Sequence, residues 1–174
     1  KDGIVVLNND NEITKACRVE AEGKIILFSS KEKLEDGVIL DNDVIKLCQD
    51  KLRRHILNTQ DVILRGKHNY ENACAAIAAT SSLVEPEQAA KVIKEFKGVE
   101  HRLELVRELN GVKWYNDSIG SSPTRTIAGL NSFNERITLI AGGYDKNLDY
   151  EPLAKPILEN VDNLVLIGQT AGKI

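Results

Sequence analysis

The amino-acid sequence predicts an α/β protein in two parts. Two observations carry this. Short apolar runs such as Ile4-Val5-Val6-Leu7 and Ile25-Ile26-Leu27-Phe28 have strand length and are bounded by polar turns, and they are interspersed with segments of helical periodicity. Past Gly98 strand and helix alternate regularly, which predicts a mostly parallel sheet with helices on its faces, so the domain boundary is placed at Gly98.

Taken in order, residues 3–7 form an apolar strand, closed by the turn-rich Asn8-Asn9-Asp10-Asn11, and residues 24–29 form a second. Weaker runs at 38–40, 44–47 and 61–64 are separated by polar turns and read as an antiparallel meander. Residues 69–83 give the clearest helix, with Tyr70, Ala73, Cys74, Ile77 and Val84 near one face. A second helix has Pro86 in its first turn and Gly98 past its end, with Ala89, Val92, Ile93 and Phe96 on its buried side. Strands at 102–108 and 112–115 are joined by Asn110-Gly111, a strong hairpin signal. Then come a helix from Pro123 to about Phe133, a strand at 137–141, a helix near 150–158 and a strand at 164–167.

Composition narrows the function. The chain has 174 residues, 42% apolar and 28% charged, with a net charge of −3 and 5% aromatics. That lacks the basic face of a nucleic-acid binder and the rings of a base-stacking platform. No apolar run nears the ~18 residues of a membrane span, and no basic-then-apolar leader is seen. Cys17, Cys48 and Cys74 are an odd, scattered set, which fits buried reduced thiols in a cytosolic protein better than disulfides or a metal site. His55, His68 and His101 have no zinc-ligand spacing. The chain begins at Lys1, has no methionine and stops just after a strand, and it is read as a fragment.

Four segments carry chemistry. The run Trp114-Tyr115-Asn116-Asp117-Ser118-Ile119-Gly120-Ser121-Ser122-Pro123 is a strand emptying into a loop that opens a helix, with Ser122 as N-cap and Pro123 at the first helical position. Asp117 then lies at the carboxyl end of a strand beside free helix N–H groups, where a phosphate-bearing ligand is expected. The same residues equally suit an Asx turn that caps the helix. Gly142-Gly143-Tyr144-Asp145-Lys146 also follows a strand, and Lys146 offers a point charge to a carboxylate or phosphate, or is simply solvated. Asn69 and Asn72 share a face of a helix's first turn and suit an adenine edge, although a cap and a surface asparagine explain them as well. Arg102, after His101, suits a phosphate or a structural ion pair. The run 168–173 looks like a phosphate loop, but it has three residues between its glycines and Ile174 after its lysine, so it reads as an ordinary turn.

Jointly, Gly66-Lys67-His68-Asn69-Tyr70-Glu71-Asn72-Ala73, Gly98-Val99-Glu100-His101-Arg102, Trp114-Tyr115-Asn116-Asp117-Ser118 and Gly142-Gly143-Tyr144-Asp145-Lys146 resemble the Mur ligases in identity, order and spacing. The Asn-Asp-Ser form followed by Ser-Pro-Thr-Arg-Thr is more similar to the D-glutamate-adding members than to those adding other amino acids. The resemblance implies that residues 1–98 are the last part of a central ATP-binding domain, and 99–174 the first part of a Rossmann-like C-terminal domain. It implies ATP-dependent addition of D-glutamate to UDP-N-acetylmuramoyl-L-alanine through an acyl phosphate, in cell-wall synthesis, by a cytoplasmic monomer using ATP and Mg2+.

The resemblance also places Asn69, Asn72 and His101 at the nucleotide, Arg102 at its phosphates across an interdomain cleft, Asp117 at the ribose, and Lys146 at a D-glutamate carboxylate with Ser121 assisting. The P-loop, most Mg2+ ligands and the UDP-binding domain are missing from this chain, so it is expected to be inactive alone. A non-catalytic nucleotide-binding module, or a ligase for another amino acid, stays open. Many relatives carry lysine where this chain has Ile119, and Arg125, one helical turn into the following helix, is the candidate replacement.

Overall fold

The computed structural model describes residues 3–174. The chain divides into two compact units, Lys1–Lys97 and Gly98–Ile174.

The first unit is a five-stranded mixed sheet in the order β1-β2-β3-β4-β5: β1 (Ile4–Asn8), β2 (Lys24–Ser29), β3 (Gly37–Asp41), β4 (Val44–Gln49) and β5 (Leu52–Asn58). β1 and β2, and β2 and β3, pair in parallel, while β3, β4 and β5 form antiparallel hairpins. Both hairpins turn on consecutive left-handed residues, Asn42 and Asp43 (φ 48° and 62°) and Asp50 and Lys51 (φ 51° and 65°). That mirror-image turn matches the twist of the strands it joins.

The meander is therefore present, but its last strand is 52–58; of the expected strand at 61–64, Asp61 ends a short 3-10 turn and 62–64 are loop. Arg53, Arg54 and His55 face outward on an edge strand and hide it from an apolar search. A bulge opposite Ile45 and Lys46 then turns both Ile56 and Leu57 into the core, which breaks the alternation of period two.

One face of the sheet is covered by α2 (Lys67–Thr80) and α3 (Pro86–Glu95). Ala73, Cys74, Ile77 and Ala78 of α2 are buried against Ile26, Val38, Ile45, Ile56 and Leu57, and the small side chains allow helix and sheet to approach closely. Tyr70 is only half-buried, and Val84 lies past the end of α2. On α3 the buried side is Ala89, Ala90 and Ile93, with Val92 exposed. Phe96 is half-exposed because the helix ends at Glu95 and the backbone turns extended. A short helix missing from the sequence reading, α1 (Glu12–Ala16), starts where Asn11 Oδ1 accepts the N–H groups of Ile13 and Thr14. The thiols of Cys48 and Cys74 are buried, but Cys17, on the 3-10 turn after α1, is exposed, contrary to expectation.

The second unit holds the hairpin β6 (Glu104–Leu109) and β7 (Val112–Asn116), then α4 (Pro123–Leu130), β8 (Ile137–Gly143), α5 (Ala154–Asn160) and β9 (Val161–Gly168). The hairpin turns on Asn110 and Gly111, both left-handed, as the Asn-Gly signal requires. β8 and β9 pair in parallel through α5, a right-handed crossover being the expected course. The expected single sheet is not formed: β6–β7 and β8–β9 are separate two-stranded sheets among the described residues. Among the described residues no helix is long and apolar enough to cross a membrane.

Candidate functional site

In the second unit β7 delivers Asn116 and Asp117 into the loop that opens α4. Asp117 Oδ1 accepts the Leu103 N–H at 3.1 Å and lies 3.8 Å from Arg102 Nη1. Its carbonyl accepts the Gly120 N–H at 2.8 Å. Oδ2 faces Gly120 and Gly129: a Cβ on either would lie 2.8 or 3.3 Å from it, so the glycines leave room for that oxygen. Oδ2 takes no hydrogen bond from the described residues. Arg102 Nη1 is buried and makes no hydrogen bond either, with the Asp117 carboxylate as its nearby countercharge.

The segment before β6 is bent to make this contact. His101 and Leu103 are left-handed (φ 65° and 45°), a conformation costing about 1 kcal/mol or more for a residue with a side chain. The His101 N–H donates to Glu104 Oε2 at 2.8 Å, and its ring Nδ1 lies 2.9 Å from Asn116 Nδ2. Asn116 Oδ1 accepts the Ser118 N–H, so the Asx turn exists and is made by Asn116, which leaves Asp117 to the Arg102 side. Glu104 and Leu103 were not visible in the sequence because their parts depend on the fold, whereas the Asx turn was open to Asn116 from the start.

Ser122 occupies the N-cap position of α4 with Pro123 next, but its hydroxyl makes no capping bond. The Ser121 N–H is turned to the Ile119 carbonyl, and its residue is exposed. Arg125 Nη1 donates to that same carbonyl at 3.5 Å, so an exposed guanidinium stands at the backbone of Ile119.

Lys146 follows β8 on an exposed loop and has no ion-pair partner among the described residues. Its neighbour Asp145 is paired with Lys173 at 2.5 Å. That contact, with the Asn147 N–H, holds the Asp145 carboxyl below the usual carboxylate range and raises the Lys173 ammonium above its own. β7 and β8 lie in different sheets, so the Asp117 and Lys146 loops do not share a sheet edge.

In the first unit, Asn69 and Asn72 lie in the opening turns of α2, after Gly66 (φ 93°). Asn69 Nδ2 donates to the Arg65 carbonyl at 2.6 Å, and its Oδ1 faces Asn72 Nδ2 at 3.4 Å. Asn69 is thus spent inside the helix start, whereas Asn72 is exposed with its amide oxygen open. Below them burial, with Glu71 and Asp10 nearby, pushes the Cys74 thiol up to about 12, which makes it inert packing. Among the described residues no group of three or more His, Cys, Asp or Glu side chains is placed to hold a metal ion.

Residues 101–174 match the family model described as "Mur ligase, glutamate ligase domain". The chain is 52% identical over 170 residues to the UDP-N-acetylmuramoylalanine--D-glutamate ligase of Acetivibrio thermocellus, covering 98% of this chain and 36% of that protein. Identity to the ligase of the same name from Clostridium beijerinckii is 48% over 173 residues, covering 99% and 37%. The chain therefore spans about a third of the length of the curated relatives it matches. The fold is similar to the UDP-N-acetylmuramoylalanyl-D-glutamyl-2,6-diaminopimelate--D-alanyl-D-alanyl ligase of Acinetobacter baumannii (TM-score 0.76, 19% identity, 99% of this chain, 40% of that one). It is also similar to MurF ligase from Thermotoga maritima, solved in complex with ADP (TM-score 0.67, 16% identity, 99% and 42%).

Proposed function

Because this chain belongs to the Mur ligase family, we propose that it serves in ATP-dependent addition of D-glutamate to UDP-N-acetylmuramoyl-L-alanine, a step of peptidoglycan synthesis. The observation that supports this most is that relatives bearing that ligase name align with 98–99% of this chain at 48–52% identity, rather than any one contact. On this reading residues 1–98 are the latter part of a central ATP-binding domain. Residues 99–174 are the first part of a C-terminal Rossmann-like domain. The whole protein works in the cytoplasm as a monomer, on small-molecule substrates.

The γ-phosphoryl group of ATP passes to an oxygen of the substrate's L-alanyl carboxylate, leaving ADP and an acyl phosphate. The D-glutamate amine attacks the acyl carbon, the C–N bond forms, phosphate leaves with the C–O electron pair, and the nitrogen loses a proton. Catalysis is mainly positioning and charge neutralisation.

Asn72 reads the adenine edge, with Asn69 and His101 holding the backbone around the nucleotide. Arg102 faces the phosphates, a role supported by its unbonded Nη1. Asp117 takes a ribose hydroxyl on its carboxylate, which the Leu103 N–H holds at Oδ1. Lys146 and Ser121 hold the D-glutamate carboxylate. Arg125 supplies the positive charge that Ile119 cannot.

Phosphate release by the whole protein, measured with a panel of amino acids, tests this. D-Glutamate should be the preferred acceptor, and preference for an L-amino acid overturns the assignment.

A further inference from the structure

The stretch from Gly168 to Lys173, which imitates a phosphate loop, has other work in the fold. Three contacts join it to the loop after β8. Lys173 Nζ lies 2.5 Å from Asp145 Oδ2. The Asp145 N–H donates to Gln169 Oε1 at 3.2 Å, and the Thr170 N–H to the Gly143 carbonyl at 3.3 Å. Thr170 is buried. Just before these loops β8 and β9 meet backbone to backbone: Gly142 has φ 128°, and a Cβ there would fall 1.9 Å from the Ile167 carbonyl oxygen.

Within the first loop, Asp145 Oδ1 accepts the Asn147 N–H at 2.8 Å, and Asn147 is left-handed (φ 56°). Lys146 therefore sits between two residues whose backbone is fixed, while its own side chain is exposed and unpaired among the described residues. Asp145 is the carboxylate closest to it in sequence. Left alone, that carboxylate would attract the Lys146 ammonium and repel an arriving anion. Lys173 occupies it instead.

We propose that Lys173, with Gln169, is a positioning residue for Lys146: it pins the loop of residues 144–147 and neutralises Asp145, leaving the Lys146 ammonium for the carboxylate of the incoming amino acid. The inference rests on the assignment of Lys146 made above. A part-exposed pair adds little to global stability, so its effect belongs to substrate binding rather than to folding.

The test is steady-state kinetics of the whole protein. Lys173→Met should raise the KM for D-glutamate about 5-fold, with kcat and the KM for ATP changed less than about 2-fold. Lys173→Arg should restore the original KM, since it keeps the charge on Asp145. Gln169→Leu, which removes only the acceptor of the Asp145 N–H, should give the same selective rise at smaller size and does not depend on Lys173→Met folding well. A selective rise for Lys146→Ala with none for either Lys173→Met or Gln169→Leu overturns the positioning role alone. An unchanged D-glutamate KM in Lys146→Ala overturns the underlying assignment and this inference with it. Equal rises for ATP and D-glutamate in Lys173→Met also overturn it, because they mark a general structural defect.

Discussion

Asp10 and Glu71 meet at a single hydroxyl. Ser30 Oγ lies 3.0 Å from Asp10 Oδ2 and 2.8 Å from Glu71 Oε1, and a serine has one proton to give. Asp10 is secured regardless, by the Ser30 N–H on Oδ2 and the Ser29 hydroxyl on Oδ1. The chain of contacts ties the ends of β1 and β2 to α2 between Asn69 and Asn72.

Asp10 makes acid stability measurable. Burial raises its carboxyl, but the hydrogen bonds from Ser29 and Ser30 outweigh this and hold it below the usual range. A folded value below the unfolded one means that the stabilisation is present above the ordinary aspartate pKa, about 4, and is lost as pH falls through the folded value. Asp10→Ala should lower unfolding free energy near pH 7 by about 1–3 kcal/mol in urea titrations. The gap to wild type should narrow below pH 4.

Arg136 closes the end of α5. Its guanidinium donates to the carbonyls of Leu158 (3.1 Å), Glu159 (2.8 Å) and Val161, and pairs with Asp162. Arg136→Ala should destabilise the second unit by about 1.5–3 kcal/mol. Lys should recover only part, because an ammonium cannot reproduce the fork. Amide exchange across residues 154–161 reads the effect locally.

Arg125→Ala in the whole protein should raise the KM for ATP or D-glutamate by about 10-fold, the scale of one lost charge-assisted hydrogen bond. Unchanged kinetics with both substrates would remove Arg125 as the source of the positive charge that Ile119 cannot supply.

The 174 residues alone should form no ADP when ATP, D-glutamate and UDP-N-acetylmuramoyl-L-alanine are supplied. A coupled ADP assay decides the matter, and turnover by the chain alone would contradict the proposed division of the active site.

Much of the fold was legible because local chemistry dictates it. Asn110-Gly111 must turn, Pro86 and Pro123 must start helices, and alanine-rich 67–80 must pack closely. What escaped depends on partners distant in sequence. β5 shows outward-facing Arg53 and Arg54 and becomes a strand only against β4. The separation of β6–β7 from β8–β9 is a matter of long-range strand pairing, on which local alternation is silent. At the site, Asp117 and Arg102 were visible as residue types, but their mutual approach needs two left-handed residues that no periodicity reveals. Lys173 was visible only as a misleading motif.

The exposure of Cys17 gives the molecule a built-in point of attachment. Cys48 and Cys74 are buried, and burial raises both thiols, so little of either is present as the reactive thiolate. A maleimide dye at neutral pH should therefore mark one position without removing any cysteine. The label would stand on the turn after α1, remote in sequence from Asn72 and Lys146, where it can report on ligand-driven motion by fluorescence.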